Sequence, residues 1–229
     1  MNNRAELRRE LKAIAKENFK KQWGLSIGLP LIVAAIAIVG TLIAIPFIFA
    51  VPILYMIILF GVIIFLVLPL AVGLSLCFTK IFKDETTSIN DLFSPLKVNY
   101  QRKLGGMAWY FLWIDIWAIV GIFTLFIPTV IKAISYSMTP YILADCPNVK
   151  AKDALKLSMR MTQGYKMDLF VADLSFLGWA LLGGLTFNIL NLVFTMPYMS
   201  TTFAGYYVRL KEKAIESGAV KKEEFYPEA

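Results

Sequence analysis

Apolar residues along this chain come in long blocks, not in the alternation of a strand or the single stripe of a soluble helix. Residues 24–79 carry no charged side chain over 56 positions, whereas one membrane-crossing helix needs about 20 apolar residues. Two helices are therefore predicted there, at 25–45 and 52–79. Pro46 and Pro52 bracket the reversal, because proline interrupts the helical hydrogen-bond ladder. Pro69 lies inside the second helix and predicts a kink or a tilt. The second block, 105–144, is interrupted by Asp115 and Lys132. It fits one span plus a re-entrant piece, or two spans at 106–125 and 128–145, with Pro128 in the first turn of the second. In the third block, the 39 residues 169–207 hold one charge, Asp173, enough for two helices turning near 187–191.

The polar segments between these blocks have a pattern of their own. In residues 5–21, Leu7, Leu11, Ile14, Asn18 and Phe19 recur at helical spacing, and Arg8, Arg9, Lys12, Lys16 and Lys20 occupy much of the rest. This predicts an amphipathic helix lying along a membrane surface. Segments 88–103 and 151–166 precede the other two hairpins in the same way. The last places Ala154, Leu155, Ser158, Met159 and Thr162 on one face and stops at Gly164. Each closing helix carries a proline followed by small or hydroxyl residues, at Pro69, Pro128 and Pro197. Small residues let membrane helices approach closely, so these three helices are predicted to pack together. The threefold pattern is weak in sequence identity.

With 58% hydrophobic and 17% charged residues, the chain lies outside the range of soluble domains. The fold predicted is all-α, a polytopic transmembrane helix bundle of about six spans in three hairpins. Charge decides the span count: of 23 Lys and Arg, seven precede Gly24, five lie in 80–103, five in 150–166 and five follow Tyr207. If residues 105–145 cross twice, all four basic segments share one side, as cytoplasmic loops should. The expected location is a bacterial cytoplasmic membrane, with both termini cytoplasmic. One integral membrane domain, 1–229, is then divided into an amphipathic helix (1–23), hairpin 1 (24–79), a loop (80–104), hairpin 2 (105–145), an amphipathic helix (146–167), hairpin 3 (168–208) and a tail (209–229). The net charge of +7 is sorted into membrane flanks and not onto one soluble face, which argues against nucleic acid. Residues 1–23 have no apolar core, so the first span is expected to act as its own insertion signal.

The chain contains no histidine, which removes Ser-His and Cys-His nucleophile pairs, the H-E-x-x-H zinc site and histidine haem ligands. Cys77 and Cys146 stand far apart and suggest neither a disulfide framework nor a metal. No phosphate loop or dinucleotide fingerprint occurs. No cofactor, metal or enzymatic activity is expected. Asp115, Lys132 and Asp173 remain as candidate intramembrane polar residues. The expected role of Asp115 is an interhelical hydrogen bond or salt bridge, with Lys132 as partner, while a cation or proton site is the alternative. Asp173 reads as a helix-start carboxylate within reach of Lys166 and Arg160. The surroundings of the two aspartates lack the glycines wanted beside a proteolytic dyad. Trp109, Tyr110, Trp113, Trp117 and Trp179 read as interfacial and packing aromatics ahead of a cage for a quaternary ammonium.

Three motifs, Ile131-Lys-Ala-Ile-Ser-Tyr-Ser-Met-Thr-Pro-Tyr-Ile-Leu-Ala-Asp145, Ala151-Lys-Asp-Ala-Leu-Lys-Leu-Ser158 with Gly164, and Asp168-Leu-Phe-Val-Ala-Asp-Leu-Ser-Phe-Leu-Gly-Trp179, resemble the bacterial domain-of-unknown-function family 975. The opening Arg4-Ala-Glu-Leu and Trp23-Gly24 are similar to that family's start. The resemblance implies a multi-span membrane protein typical of Gram-positive bacteria. It implies no activity, and it extends distantly to the membrane domain of some glycerophosphodiester phosphodiesterases. Thr129 stands where the family usually has glycine, and Lys150 where it favours a capping serine.

Two functions fit the residues. The first is a non-catalytic scaffold or accessory protein whose basic segments, with Lys152, Lys156, Arg160 and Lys166 as candidate contacts, meet anionic lipids or a membrane or cytosolic protein partner. The second is a small transporter or lipid translocator built on Asp115. For the topology, single cysteines at Thr129 and Asn148 are expected to label from outside and only from inside, respectively.

Overall fold

The computed structural model describes residues 2–227. Helix α1 (Asn2–Lys21) runs into α2 (Trp23–Ala44), and a single turn, Phe47–Ala50, leads to the long α3 (Pro52–Phe82). Then come α4 (Ile89–Lys97), α5 (Tyr100–Phe123), α6 (Ile127–Tyr136), α7 (Thr139–Asp145), α8 (Ala151–Met161) and α9 (Lys166–Leu185). Helix α10 (Met196–Glu216) and a last turn, α11 (Lys222–Phe225), complete the chain, and no strand occurs among the described residues. Four helices, α2, α3, α5 and α9, are long and apolar enough to cross a membrane.

Proline chemistry shapes the closing helix of every hairpin. Pro69 has no N–H to give the carbonyl of Phe65, and the helix widens into a π turn over Ile63–Val67. The Tyr100 hydroxyl donates to that freed carbonyl at 2.7 Å. A second π turn, Asn191–Thr195, stands at the same distance before Pro197. In hairpin 2 the helix breaks outright at Ser137 and Met138, just ahead of Pro140. The predicted span 128–145 is therefore two short helices, α6 and α7, and not one. Pro128 does sit in the first turn of α6, but the proline beside the departure from α geometry is Pro140. Ser158 of α8 mends the break: its hydroxyl donates to Ser135 O at 2.8 Å and accepts from the Met138 N–H at 3.2 Å.

The second and third hairpins turn alike. Leu125 and Phe126 have φ of 52° and 59°, and Phe187 and Asn188 have 50° and 64°. In each turn one glycine carbonyl, of Gly121 or Gly183, accepts two N–H groups, from Thr124 and Phe126 or from Thr186 and Asn188. A Cβ on either glycine would lie 2.4 Å from Thr129 Oγ1 or 2.0 Å from the Asn191 side chain, eight residues on in both cases. Thr129 uses its hydroxyl to donate to Trp117 O at 2.5 Å. All three hairpin tips are apolar, with Phe49, Leu125 and Phe187 exposed at 94%, 86% and 93%.

At the opposite, basic end the halves of α3 and α10 beyond their prolines pack together with α7. Around them the amphipathic helices close a ring: α4 packs on α3, α8 on α7 and α5, and α1 returns to pack on α10 and α3. Close packing is thus observed for the helices that carry Pro69 and Pro197, together with α7, whereas α6, which carries Pro128, packs mainly on α5, α8 and α9. The apolar face of α1, by contrast, does not lie on a membrane surface. Leu11, Ala15 and Phe19 are fully buried in protein, each large side chain contributing about 2 kcal/mol by leaving water. Asn18 donates to Phe82 O at 2.9 Å and so satisfies the end of α3. Helix α4 starts where Ser88 and Asp91 form a reciprocal cap. Segment 88–103 is not one helix, because Asn99 is left-handed (φ 53°) and Lys103 already belongs to α5.

Gly73 sets how close α4 can come. A Cβ there would lie 2.0 Å from the carbonyl oxygen of Leu92, a backbone atom that cannot swing aside. Gly73→Ala is expected to destabilise the protein by about 2 kcal/mol, read as a lowered thermal midpoint in detergent. Gly61→Ala, in the same helix but facing open space, is the control and should not lower it.

Candidate functional site

Helix α7 ends at Asp145 because Pro147 cannot continue it. Arg102 donates to the carbonyls of Leu143, Cys146 and Val149 at 2.7, 3.1 and 2.7 Å, fixing this helix end with a cation. Asp145 then meets α10: its Oδ2 accepts from Lys211 Nζ at 2.5 Å and from the Tyr207 hydroxyl at 2.7 Å. Lys211 uses its remaining donors on the Tyr226 hydroxyl at 2.9 Å and on Cys146 Sγ at 3.3 Å. Its ammonium lies over the Phe225 and Tyr226 rings at 5.1 and 4.6 Å. Arg160 of α8 holds the same terminal segment, grasping both Glu224 carboxylate oxygens and donating to Ala219 O at 2.6 Å. One buried lysine thus joins α7, α10 and the C-terminal turn.

This node carries no activated nucleophile. Burial alone would pull the Lys211 ammonium down, but the hydrogen bonds to Asp145 and Tyr226 outweigh it and hold the group above 10.5. Burial pushes the Cys146 thiol up, so it stays protonated at neutral pH. Cys77 is likewise a buried free thiol.

The residues singled out in the sequence do not come together. Asp115 is exposed on α5, with no hydrogen bond or ion pair among the described residues. Lys132 sits over the Trp117 ring at 4.7 Å. Trp117 is two positions from Asp115, hence on the far side of the helix. The expected Asp115–Lys132 link is not formed. Asp173 is the eighth residue of α9, while the first-turn carboxylate is Asp168, paired with Arg4 at 3.0 Å. Arg160 cannot serve Asp173, being held by Glu224. Of the other basic candidates, Lys152 lies over Trp109 at 4.9 Å, Lys156 is exposed beside Asp153 at 3.3 Å, and Lys166 has no ion pair among the described residues. Lys150 precedes α8 without a side-chain cap. A groove of about 430 Å³ beside them is lined by Lys150, Lys156 and Arg160 with Asp153 and Glu224.

Together the helices and this buried pair describe an all-α protein with membrane-crossing helices and a hydrogen-bonded basic end. Residues 104–214 match the family described as Protein of unknown function (DUF975). The match contains both Asp145 and Lys211. The resemblance seen at Arg4 and Trp23 lies outside it, and it gives no support to the link with glycerophosphodiester phosphodiesterases. No curated protein and no solved structure compared matches the chain.

Sequence reasoning missed the node because its members are 66 residues apart and follow no local spacing. With side chains 11% and 26% exposed, Lys211→Met should destabilise by on the order of 3 kcal/mol, since it leaves a buried carboxylate unpaired. Asp145→Asn combined with it should recover most of that loss in denaturation experiments. Because the folded value of Lys211 is raised, its contribution is full below 10.5 and is lost as pH rises through the raised value. The gap between wild type and Lys211→Met should therefore be constant through neutral pH and narrow only in strong alkali.

Proposed function

We propose that this protein is a non-catalytic membrane scaffold whose basic end binds anionic lipid headgroups at the cytoplasmic face of a bacterial membrane. The observation that carries this reading is the division of labour within the ring of amphipathic helices. Their inner faces are buried in protein, while Arg9, Lys16 and Lys20 of α1 and Lys152 and Lys156 of α8 point outward. Cations placed this way, next to the ends of membrane-crossing helices, meet headgroups at about 1 kcal/mol each near the surface. A transporter needs polar groups aligned along a path, and Asp115, Lys132 and Asp173 stand on different helix faces with different neighbours. The buried polar node serves packing, which also favours a scaffold over an enzyme.

Replacing Arg9, Lys16, Lys20, Lys152 and Lys156 with glutamine should leave the thermal midpoint near that of wild type. Native mass spectrometry after extraction with surrounding lipid should then show loss of retained anionic lipid by about tenfold or more at low salt. Equal retention of anionic lipid by wild type and variant would sink the proposal.

A further inference from the structure

Between α5, α9, α10 and the break joining α6 to α7 lies a cavity of about 420 Å³, within the usual range for small-molecule sites. Asp173 lines it, together with Tyr110, Ser137, Tyr141 and Ser200 from separate elements. By position on α9, Asp173 is about 10 Å along the axis from Lys166, at the depth of the inner leaflet's acyl chains. An unpaired carboxylate at that depth is costly, yet the two cations that reach α9 from α1 are used elsewhere. Arg4 is on Asp168, and Lys12 donates to Ser175 at 2.5 Å and covers the Phe176 ring at 4.3 Å. Among the described residues nothing pairs with Asp173.

The other polar groups of the cavity offer oxygen acceptors. Ser137 gives its own proton to Ile134 O at 2.8 Å and Tyr141 gives its proton to Ser200 O at 3.4 Å, leaving lone pairs free. The hydroxyls of Tyr110 and Ser200 make no hydrogen bond among the described residues. The rest of the wall is apolar, with Leu169, Met196, Met199 and Phe203. One carboxylate, neutral oxygens, aromatic rings and an apolar wall suit an organic ammonium carrying an alkyl chain. No group of three His, Cys, Asp or Glu side chains able to hold a metal ion occurs among the described residues.

We propose that this cavity binds the ammonium group of an amphiphilic amine, with Asp173 as its counter-ion and the methionine wall along its chain. The shared chemistry has two sources, the headgroup of an ethanolamine phospholipid or a free long-chain amine.

The test titrates dodecylamine, with dodecanol as the uncharged control, into the full chain in a neutral maltoside detergent, reading the thermal midpoint. Wild type should be stabilised by the amine and not by the alcohol, and Asp173→Asn should bind about tenfold or more weakly, the worth of one charge-assisted hydrogen bond. Asp115→Asn, on the exposed face of α5, should bind like wild type. Met199→Trp keeps the carboxylate and fills the cavity, so it should also lose binding and serves if Asp173→Asn folds poorly. Nanodiscs made with ethanolamine or choline phospholipid separate the sources. An ethanolamine lipid retained by wild type and lost in either cavity variant identifies the headgroup, whereas dodecylamine binding without such a lipid identifies a free amine. Stabilisation that is absent in wild type, or unchanged by both cavity variants, overturns the proposal.

Discussion

An amphipathic helix has one apolar face, and what covers that face governs this architecture. In α1, α4 and α8 the cover is protein. Each lies on a closing helix of another hairpin, and α1, first in the chain, reaches the last of them, α10. That return contact closes the ring, so hairpins distant in sequence share one core at the basic end. Nonpolar burial alone is non-directional. Register comes from close approaches such as Gly73 against Leu92 and from side-chain bonds to backbone such as Asn18 to Phe82 and Ser158 to Ser135. The carbonyl freed by Pro69 is taken up in the same way, by a tyrosine hydroxyl, as a low-dielectric environment demands.

The Asp145–Lys211 pair adds specificity where the ring closes. A buried pair is a weak source of net stability, because desolvation offsets much of the attraction. Its partners are what distinguish it here. Every donor of Lys211 is matched to Asp145, Cys146 or Tyr226, so the C-terminal turn has one place to sit. Arg160 secures that turn from the other side, which removes one of the basic side chains that the sequence alone would assign to lipid.

Much of this fold was legible in the sequence, for reasons that are themselves physical. Uncharged stretches longer than one span announce hairpins, and Pro46, Pro52 and Gly164 mark where helices stop. Pro69, expected to bring a kink or a tilt, is preceded by a π turn. What stayed hidden depends on the third dimension. The spacing of Leu7, Leu11 and Phe19 shows that α1 has an apolar face but not whether lipid or protein covers it. Likewise Asp115 and Lys132 are both intramembrane charges on adjacent helices, and only the helical rotation places Lys132 against Trp117. Pro128 and Pro140 are equally plausible breaks by composition. The helix parts at the second because Ser158 is positioned to satisfy both sides of the gap. Asp173 was visible as an intramembrane charge, whereas the cavity beside it is assembled from five helices and leaves no trace in any one of them.

The hairpin tips, with Phe49, Leu125 and Phe187 almost fully exposed, bear on how the protein enters its membrane. Between the first and last residue of each turn there is no side chain whose charge must be dragged through hydrocarbon, and no folded loop to be passed to the far side. For a hairpin inserted as a unit, the tip then opposes entry by little more than the desolvation of its turn backbone. The assembly order follows from the ring: α1 is synthesised first but its resting place on α10 exists only after the last hairpin is in. Until then only α3, of the two helices that cover its apolar face, is in place.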